Sequence, residues 1–510
     1  MIDSFIAYPH LERFILVDTV SGTICTSDWE GINDHVAELM RTSIDHARTS
    51  MEESRELLEY QHTTRKNALN RIMDQRATRT RKITLQGAKD SDGSVITDPS
   101  SAAEVFIRHW KEVAQSKQID TTQAKAFLSK YMRKLPVFKV VMTFDNFLLV
   151  VRSVRDSACG PDGIPNSAWR HAPNEAIKVL YRVYCTLFTT EKVPDDFNHA
   201  WLVLLAKGDL EMDTKLVARE AVDTRPVSLS NSDSKICETA VNAPLAEAVQ
   251  KWACEDQRGF MADRMIVDNV IEIDTYGRIF ALRVDTVTKT AQQLVDMPAN
   301  ASVPAMAFFD FAAAFPSVAW AYLFLCLKYC GLPKAYRRAF RKLYENNSHF
   351  LRFMGKVFFA YVNYSGVKTG GTASGTLFIL CIDPFLQFLR DRCHPQDIGR
   401  SFADDIGYII YDIRFTLPRF AACLRLFGQV SNVKLKIKKT VLVPLWNCTL
   451  ADAKELLIRI VPEWEGIQIG WSAKYLGMYL GPHSEAMIWK QTVDKYIHRV
   501  ERSRTTGAGF

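Results

Sequence analysis

Three aspartates have the setting that could do chemistry. Two are adjacent in Arg400-Ser401-Phe402-Ala403-Asp404-Asp405-Ile406-Gly407-Tyr408-Ile409-Ile410-Tyr411, an acidic pair between short apolar, β-branched runs. That pattern predicts a hairpin with its charges at the tip. Adjacent carboxylates in apolar surroundings are costly to bury, and a divalent cation is the leading compensator. On this stretch alone an exposed Asp-Asp turn is the favoured reading, because aspartate is a common turn residue. The third, Asp310, ends the apolar run Ala305-Met306-Ala307-Phe308-Phe309 and precedes Phe311 and the small-residue turn Ala312-Ala313-Ala314-Phe315-Pro316-Ser317, whose N–H groups could face an anion.

Two bases stand where a polyphosphate could be gripped. Trp201-Leu202-Val203-Leu204-Leu205-Ala206 reads as a strand running into Lys207, and Thr224-Arg225-Pro226-Val227-Ser228-Leu229 as its partner. A point charge and a planar fork on paired strands suit a triphosphate, although either base alone reads as a surface residue. A glycine-rich stretch, Gly366-Val367-Lys368-Thr369-Gly370-Gly371-Thr372-Ala373-Ser374-Gly375, would let a nucleotide or another backbone approach closely.

The elements that must carry these residues follow from periodicity. Helices are expected over 33–80, 102–114, 145–154, 230–252, from 264, and over 319–329 and 376–392; the first ends in a basic run, Arg65 to Lys82, that reads as a solvated face or a phosphate-backbone contact. Turns are expected at Asp92-Gly93 and at Cys159-Gly160-Pro161-Asp162-Gly163-Ile164-Pro165, and a strand over 357–364. With 510 residues, 47% hydrophobic and 24% charged, the chain can bury its own core over two or three domains. Eleven cysteines occur without a CxxC pair, which argues for a reducing compartment and against zinc. No run reaches the roughly 18 apolar residues of a membrane span, and Asp3 interrupts any basic leader, so an intracellular protein, nuclear or cytoplasmic, is expected. The net charge of +7 permits a polyanionic partner without requiring one.

Taken in order, these segments resemble the reverse transcriptases of non-LTR (LINE-type) retrotransposons, relatives of the group II intron enzymes, from about residue 83 to 480. Gly160-Pro161-Asp162-Gly163-Ile164-Pro165 resembles the family's GPDGIP segment, Arg225-Pro226-Val227-Ser228-Leu229 its RPISL, and Gln257-Arg258-Gly259-Phe260 its QxGF. Asp310 with Ala314-Phe315 resembles the first catalytic motif, Phe402-Ala403-Asp404-Asp405 the YADD box, Lys439-Thr440 the KT segment, and Lys474-Tyr475-Leu476-Gly477 the YLG primer grip.

The resemblance implies an RNA-directed DNA polymerase of right-hand, α+β fold, with an antiparallel palm sheet packed on helices and a thumb largely truncated. It places a helical N-terminal extension at 1–134, fingers at 135–300, a palm at 301–480 and the start of a thumb at 481–510. Two Mg²⁺ ions, with Mn²⁺ as an alternative, would be held by Asp310, Asp404 and the Phe311 carbonyl, supported by Asp405. Lys207, Arg225, Ala313, Ala314 and Thr369 would hold a dNTP, Phe315 would exclude a 2′ hydroxyl, and Lys439 would protonate pyrophosphate. Gln257, Gly259, Phe260, Tyr475, Leu476 and Gly477 would contact the RNA template and DNA primer, and the basic helix the template. An endonuclease would come from a domain or chain not present, the sequence reading as a piece of a longer protein. A catalytically inactive scaffold and an RNA-directed RNA polymerase are the alternatives.

The chain departs from the family pattern at Thr369, where a glutamine is usual, at 371–375, which lacks proline, at 435–440, two residues short, and at Phe402 in place of tyrosine.

Overall fold

The computed structural model describes residues 85–488 except 91, 137–140, 209–215, 285–286 and 299–300, together with Leu16–Val17, Ile24–Cys25 and scattered positions at 42 and 490–500. The chain divides into two units, 1–82 and 83–510. In the first, Leu16–Val17 pairs antiparallel with Ile24–Cys25; the expected basic helix over 33–80 lies outside the described residues. Most of the thumb start expected beyond 488 does too.

In chain order the helices of the second unit that matter here are α1 (Pro99–Ala114), α2 (Thr121–Tyr131), α3 (Ser232–Trp252), α4 (Ile266–Leu282), α5 (Ala314–Ser317), α6 (Trp320–Tyr329), α7 (Lys334–Tyr344), α8 (Ser374–Arg390) and α9 (Ile413–Ser431). The strands are β1 (Ala200–Ala206), β2 (Thr224–Ser230), β3 (Ala305–Phe309), β4 (Ser348–Phe353), β5 (Lys356–Val362), β6 (Ile398–Phe402), β7 (Asp405–Ile410), β8 (Val441–Pro444), β9 (Gln468–Ile469), β10 (Ala473–Tyr475) and β11 (Met478–Leu480). Helix and strand together make a mixed α+β protein.

A five-stranded sheet in the order β6-β7-β3-β8-β9 carries the acidic residues. Its first four strands are antiparallel, as expected, but β9 joins β8 in parallel, a departure at the far edge. Both faces are covered, which explains the unbroken apolar run of β3. Ala305, Ala307 and Phe309 join the main core, where Phe309 meets Phe420 of α9 at 6.1 Å, while Met306 and Phe308 face α4. On that side Gly277 packs closely: a Cβ there would lie 2.0 Å from the Met306 terminal methyl carbon, and that flexible side chain would have to shift.

A four-stranded sheet in the order β5-β4-β1-β2 carries the bases. Strands β4 and β5, which follow the Asp310 strand in the chain, complete it; β4 runs parallel to β1. Helix α1 covers one face, burying Phe106 and Trp110, and the Trp110 Nε1 donates to Thr224 Oγ1 at 3.0 Å. It starts at Pro99, earlier than expected, because Asp98 caps the Ser101 N–H at 2.8 Å and proline suits the first helical position.

Within this sheet, on β4, His349 is buried, its Nε2 2.8 Å from Ser228 Oγ and its ring stacked on its cross-strand partner Tyr361. Burial pushes its pKa down to about 4. A folded-state value below the unfolded one favours the neutral ring, so this contribution is full at neutral pH and lost as pH falls from about 6.5 toward 4. The wild type is expected to lose about 2 kcal/mol more stability between pH 7 and pH 5 than His349→Gln does. Denaturant midpoints at the two pH values check this; parallel losses would contradict it.

Candidate active site

Register brings the acids together. Ile406 pairs with Phe309, so Asp405, one residue earlier, stands across from Asp310, and Phe402 pairs with Asp405 to close a two-residue loop of Ala403 and Asp404. Asp404 therefore sits in the turn and is half-buried, whereas Asp405 opens β7 and is exposed. The two adjacent acids are not equivalent. Phe311 bridges Leu435, flanked by the Ala312 N–H to Lys434 carbonyl bond of 2.9 Å and the Lys436 N–H to Asp310 carbonyl bond of 2.7 Å. In such a pair the Phe311 carbonyl points to the opposite edge, the side of Asp404.

No ion pair reaches these three carboxylates among the described residues. Loss of water and the charge of Asp310 push the Asp404 carboxyl above its usual range. For Asp405, desolvation at the sheet, then Asp404 and Asp310, push the carboxyl up to about 6 although the residue is open by area; Arg225 acts in the other direction. The site thus offers hard oxygen donors and uncompensated negative charge, which suits a Mg²⁺-type ion. Among the described residues no three His, Cys, Asp or Glu side chains close a cage by themselves. An open arrangement leaves coordination positions for substrate and water.

The bases converge beside it. Leu205 pairs with Arg225, and the Lys207 N–H continues the ladder to the Asp223 carbonyl at 2.8 Å, setting Lys207 and Arg225 at one end of the sheet. Desolvation of its amine, then the charges of Lys439, Lys436 and Arg225, push Lys207 below its ordinary value. Four cations crowded together are primed for a polyanion. Lys439 and Asp310 share an open cleft of about 420 Å³ with Lys474 and Tyr479.

A family model, "Reverse transcriptase (RNA-dependent DNA polymerase)", matches residues 215–480, more than half of the chain and all three aspartates. The chain belongs to the reverse transcriptase family. It is similar to the "Retrovirus-related Pol polyprotein from type-2 retrotransposable element R2DM" of Drosophila melanogaster, 23% identical over 395 residues, covering 72% of this chain and 34% of that protein. It is also similar to the "Transposon TX1 uncharacterized 149 kDa protein" of Xenopus laevis, 25% identical over 313 residues, covering 59% and 21%. The expected kinship with the non-LTR, LINE-type reverse transcriptases holds, and the chain spans about a third of the first relative's length or less.

Three of the residues expected to contact nucleic acid, Gln257, Gly259 and Tyr475, are buried in this structure. Gln257 is fully buried: its Oε1 accepts from the N–H groups of Gly259 and Ala403, both at 2.8 Å, and its Nε2 donates to Ser401 Oγ at 3.0 Å and the Ala403 carbonyl at 3.2 Å. Gly259 lies flat on the hairpin, where a Cβ would fall 2.2 Å from the Ala403 nitrogen. These two buttress the acidic turn, holding Ala403 at a φ of 57° that alanine seldom adopts. Tyr475 is buried against Phe308 at 5.0 Å, its hydroxyl donating to the Arg400 carbonyl at 3.3 Å. Gly477 is exposed and Leu476 half-buried in the β10–β11 turn, which their positive φ values make, and Phe260 is exposed as well.

Phe315 stacks on Phe378 with ring centroids 4.1 Å apart and 11° between planes. Ala313 is left-handed, and Ala314 opens the short α5, whose first N–H groups have no preceding carbonyl. The glycine loop is pinned: the Thr369 carbonyl accepts from the Ser228 N–H at 2.7 Å, and buried Glu238 accepts from the Ala373 N–H at 2.9 Å. Sequence reasoning missed Glu238 and Lys436, since a lone acid in a helix and one lysine among several give no periodic signal.

Proposed function

We propose that the chain is an RNA-directed DNA polymerase of a non-LTR retrotransposon, extending a DNA primer on an RNA template with dNTPs. The meeting of Asp310 with Asp404 and Asp405, beside Lys207 and Arg225, carries this reading.

In it the five-stranded sheet is the palm, strands β1 and β2 of the four-stranded sheet belong to the fingers, and the boundaries fall near 134, 300 and 480. Asp310, Asp404 and the Phe311 carbonyl would hold two Mg²⁺ ions, or Mn²⁺, with Asp405 in support. When bound, the ions would supply Lewis-acid activation of the primer hydroxyl and neutralise charge on the transferring phosphoryl group. Lys207 and Arg225 bind the triphosphate, with the Ala313 and Ala314 N–H groups contacting it and Thr369 beside it in place of the usual glutamine. Lys439, exposed on the cleft it shares with Asp310, gives a proton to pyrophosphate. Phe315 excludes the ribose 2′ hydroxyl, and Leu476 and Gly477 steady the primer. The partners are RNA template, DNA primer and dNTP, with an endonuclease contributed by a further domain or chain. Among the described residues no helix is long and apolar enough to cross a membrane; an intracellular location, nuclear or cytoplasmic, is part of the same proposal.

Primer extension on an RNA template with Mg²⁺ tests it. Incorporation of dNTPs over NTPs is expected for the wild type, and Phe315→Ala is expected to reduce that preference tenfold or more, roughly the worth of one well-placed steric contact. Absence of extension, or extension with NTPs alone, would overturn the reading; equal preference in Phe315→Ala would overturn the gate.

A further inference from the structure

Phe260 is strained and exposed at once. It has a φ of 59°, a region bulky side chains rarely enter, and more than half of its surface is open, at 54%. Strain of this kind persists only where surroundings over-determine it. Here Gln257 and Gly259 fasten the preceding residues to the Ala403 turn, and the Phe260 carbonyl accepts from Gln250 Nε2 at 3.0 Å. The ring is thereby directed onto the edge of Phe315, centroid to centroid 5.8 Å with 71° between planes.

Phe315 is consequently held on two sides, face-on by Phe378 and edge-on by Phe260. A ring that distinguishes hydrogen from hydroxyl must keep its position to a fraction of an ångström, and a phenylalanine supported on one side only could swing about its χ1. The substrate loop makes room for this arrangement. At Gly375, the start of α8, a Cβ would lie 2.7 Å from the Phe260 ring, and this is the stretch that lacks the family's prolines.

We propose that Phe260 is a positioning residue for sugar selection, locking Phe315 in the rotamer that meets the nucleotide's 2′ position. The inference rests on the polymerase reading and on Phe315 as gate. It couples the acidic hairpin, through Gln257 and Gly259, to the choice of substrate.

The test is the ratio of kcat/KM for a dNTP to that for the matching NTP in single-nucleotide extension. Phe260→Ala is expected to lower the ratio several-fold to about tenfold, the worth of one aromatic pair, mainly by admitting the NTP. In a Phe315→Ala background the same substitution should change nothing further. Gly375→Ala, which favours its helix, should push the ring aside and lower the ratio as well; Phe260→Tyr should restore it. A wild type that extends and discriminates, with Phe260→Ala discriminating equally, would overturn this inference alone. Loss of template–primer affinity in Phe260→Ala at an unchanged ratio would overturn it in favour of direct nucleic-acid contact. A wild type that extends no primer would sink the polymerase reading and this inference with it.

Discussion

Asp404→Asn is expected to lower metal-dependent primer extension by roughly a thousandfold or more, while leaving the metal-free fold at least as stable. Asparagine keeps the shape of the side chain and is itself a good turn residue. What it removes is a charge the native structure already disfavours, since loss of water and Asp310 raise the Asp404 pKa. The same substitution therefore separates the two readings of an acidic pair. In a merely exposed turn it would change neither property. In a metal site it relieves repulsion and removes a ligand. Single-nucleotide incorporation and thermal melting with and without Mg²⁺ provide the measurement. The wild type should melt higher with Mg²⁺, by linkage, and the variant should lose most of that increment. Extension within about tenfold of wild type would end the proposal that Asp404 holds the metal.

The second large effect is expected from a residue buried beneath the acidic turn. Gln257 uses its whole amide, two acceptor and two donor bonds, to fasten the hairpin. Gln257→Leu preserves volume but leaves the N–H groups of Ala403 and Gly259 buried without partners, at about 1–3 kcal/mol each. Destabilisation of about 3 kcal/mol is expected. Extension should fall with it, although every acid is present, because Asp404 follows the residue that Gln257 holds. Chemical denaturation and extension measured on the same preparation decide the matter. A variant of wild-type stability with weakened template binding would show that Gln257 contacts nucleic acid after all.

The sequence revealed the site more readily than its supports. Asp310, Asp404 and Asp405 were legible because each interrupts an apolar strand, and a charge in such a run is conspicuous. The strands β3 and β7, and helices α3 and α8, were legible from their periods. Gln257 and Tyr475 stood out in the sequence as motif members, but their burial did not, because a motif does not say which face of it is buried. Strands β4 and β5 illustrate the remaining gap. A local pattern can announce a strand such as Lys356–Val362, but it carries no information that its hairpin partner Ser348–Phe353 pairs in turn with Ala200–Ala206 some 150 residues away, so their sheet was missed.

That long-range pairing bears on how the molecule is made. As the chain emerges, Lys207 and Arg225 come early, yet the sheet that presents them has only two strands until residues 348–362 arrive, after the Asp310 strand. Two strands alone are marginal in water. The sheet that presents these two bases and the acidic sheet therefore mature together, late and interdependently, and cutting the chain anywhere between residues 300 and 345 would leave neither piece with its full set of partners.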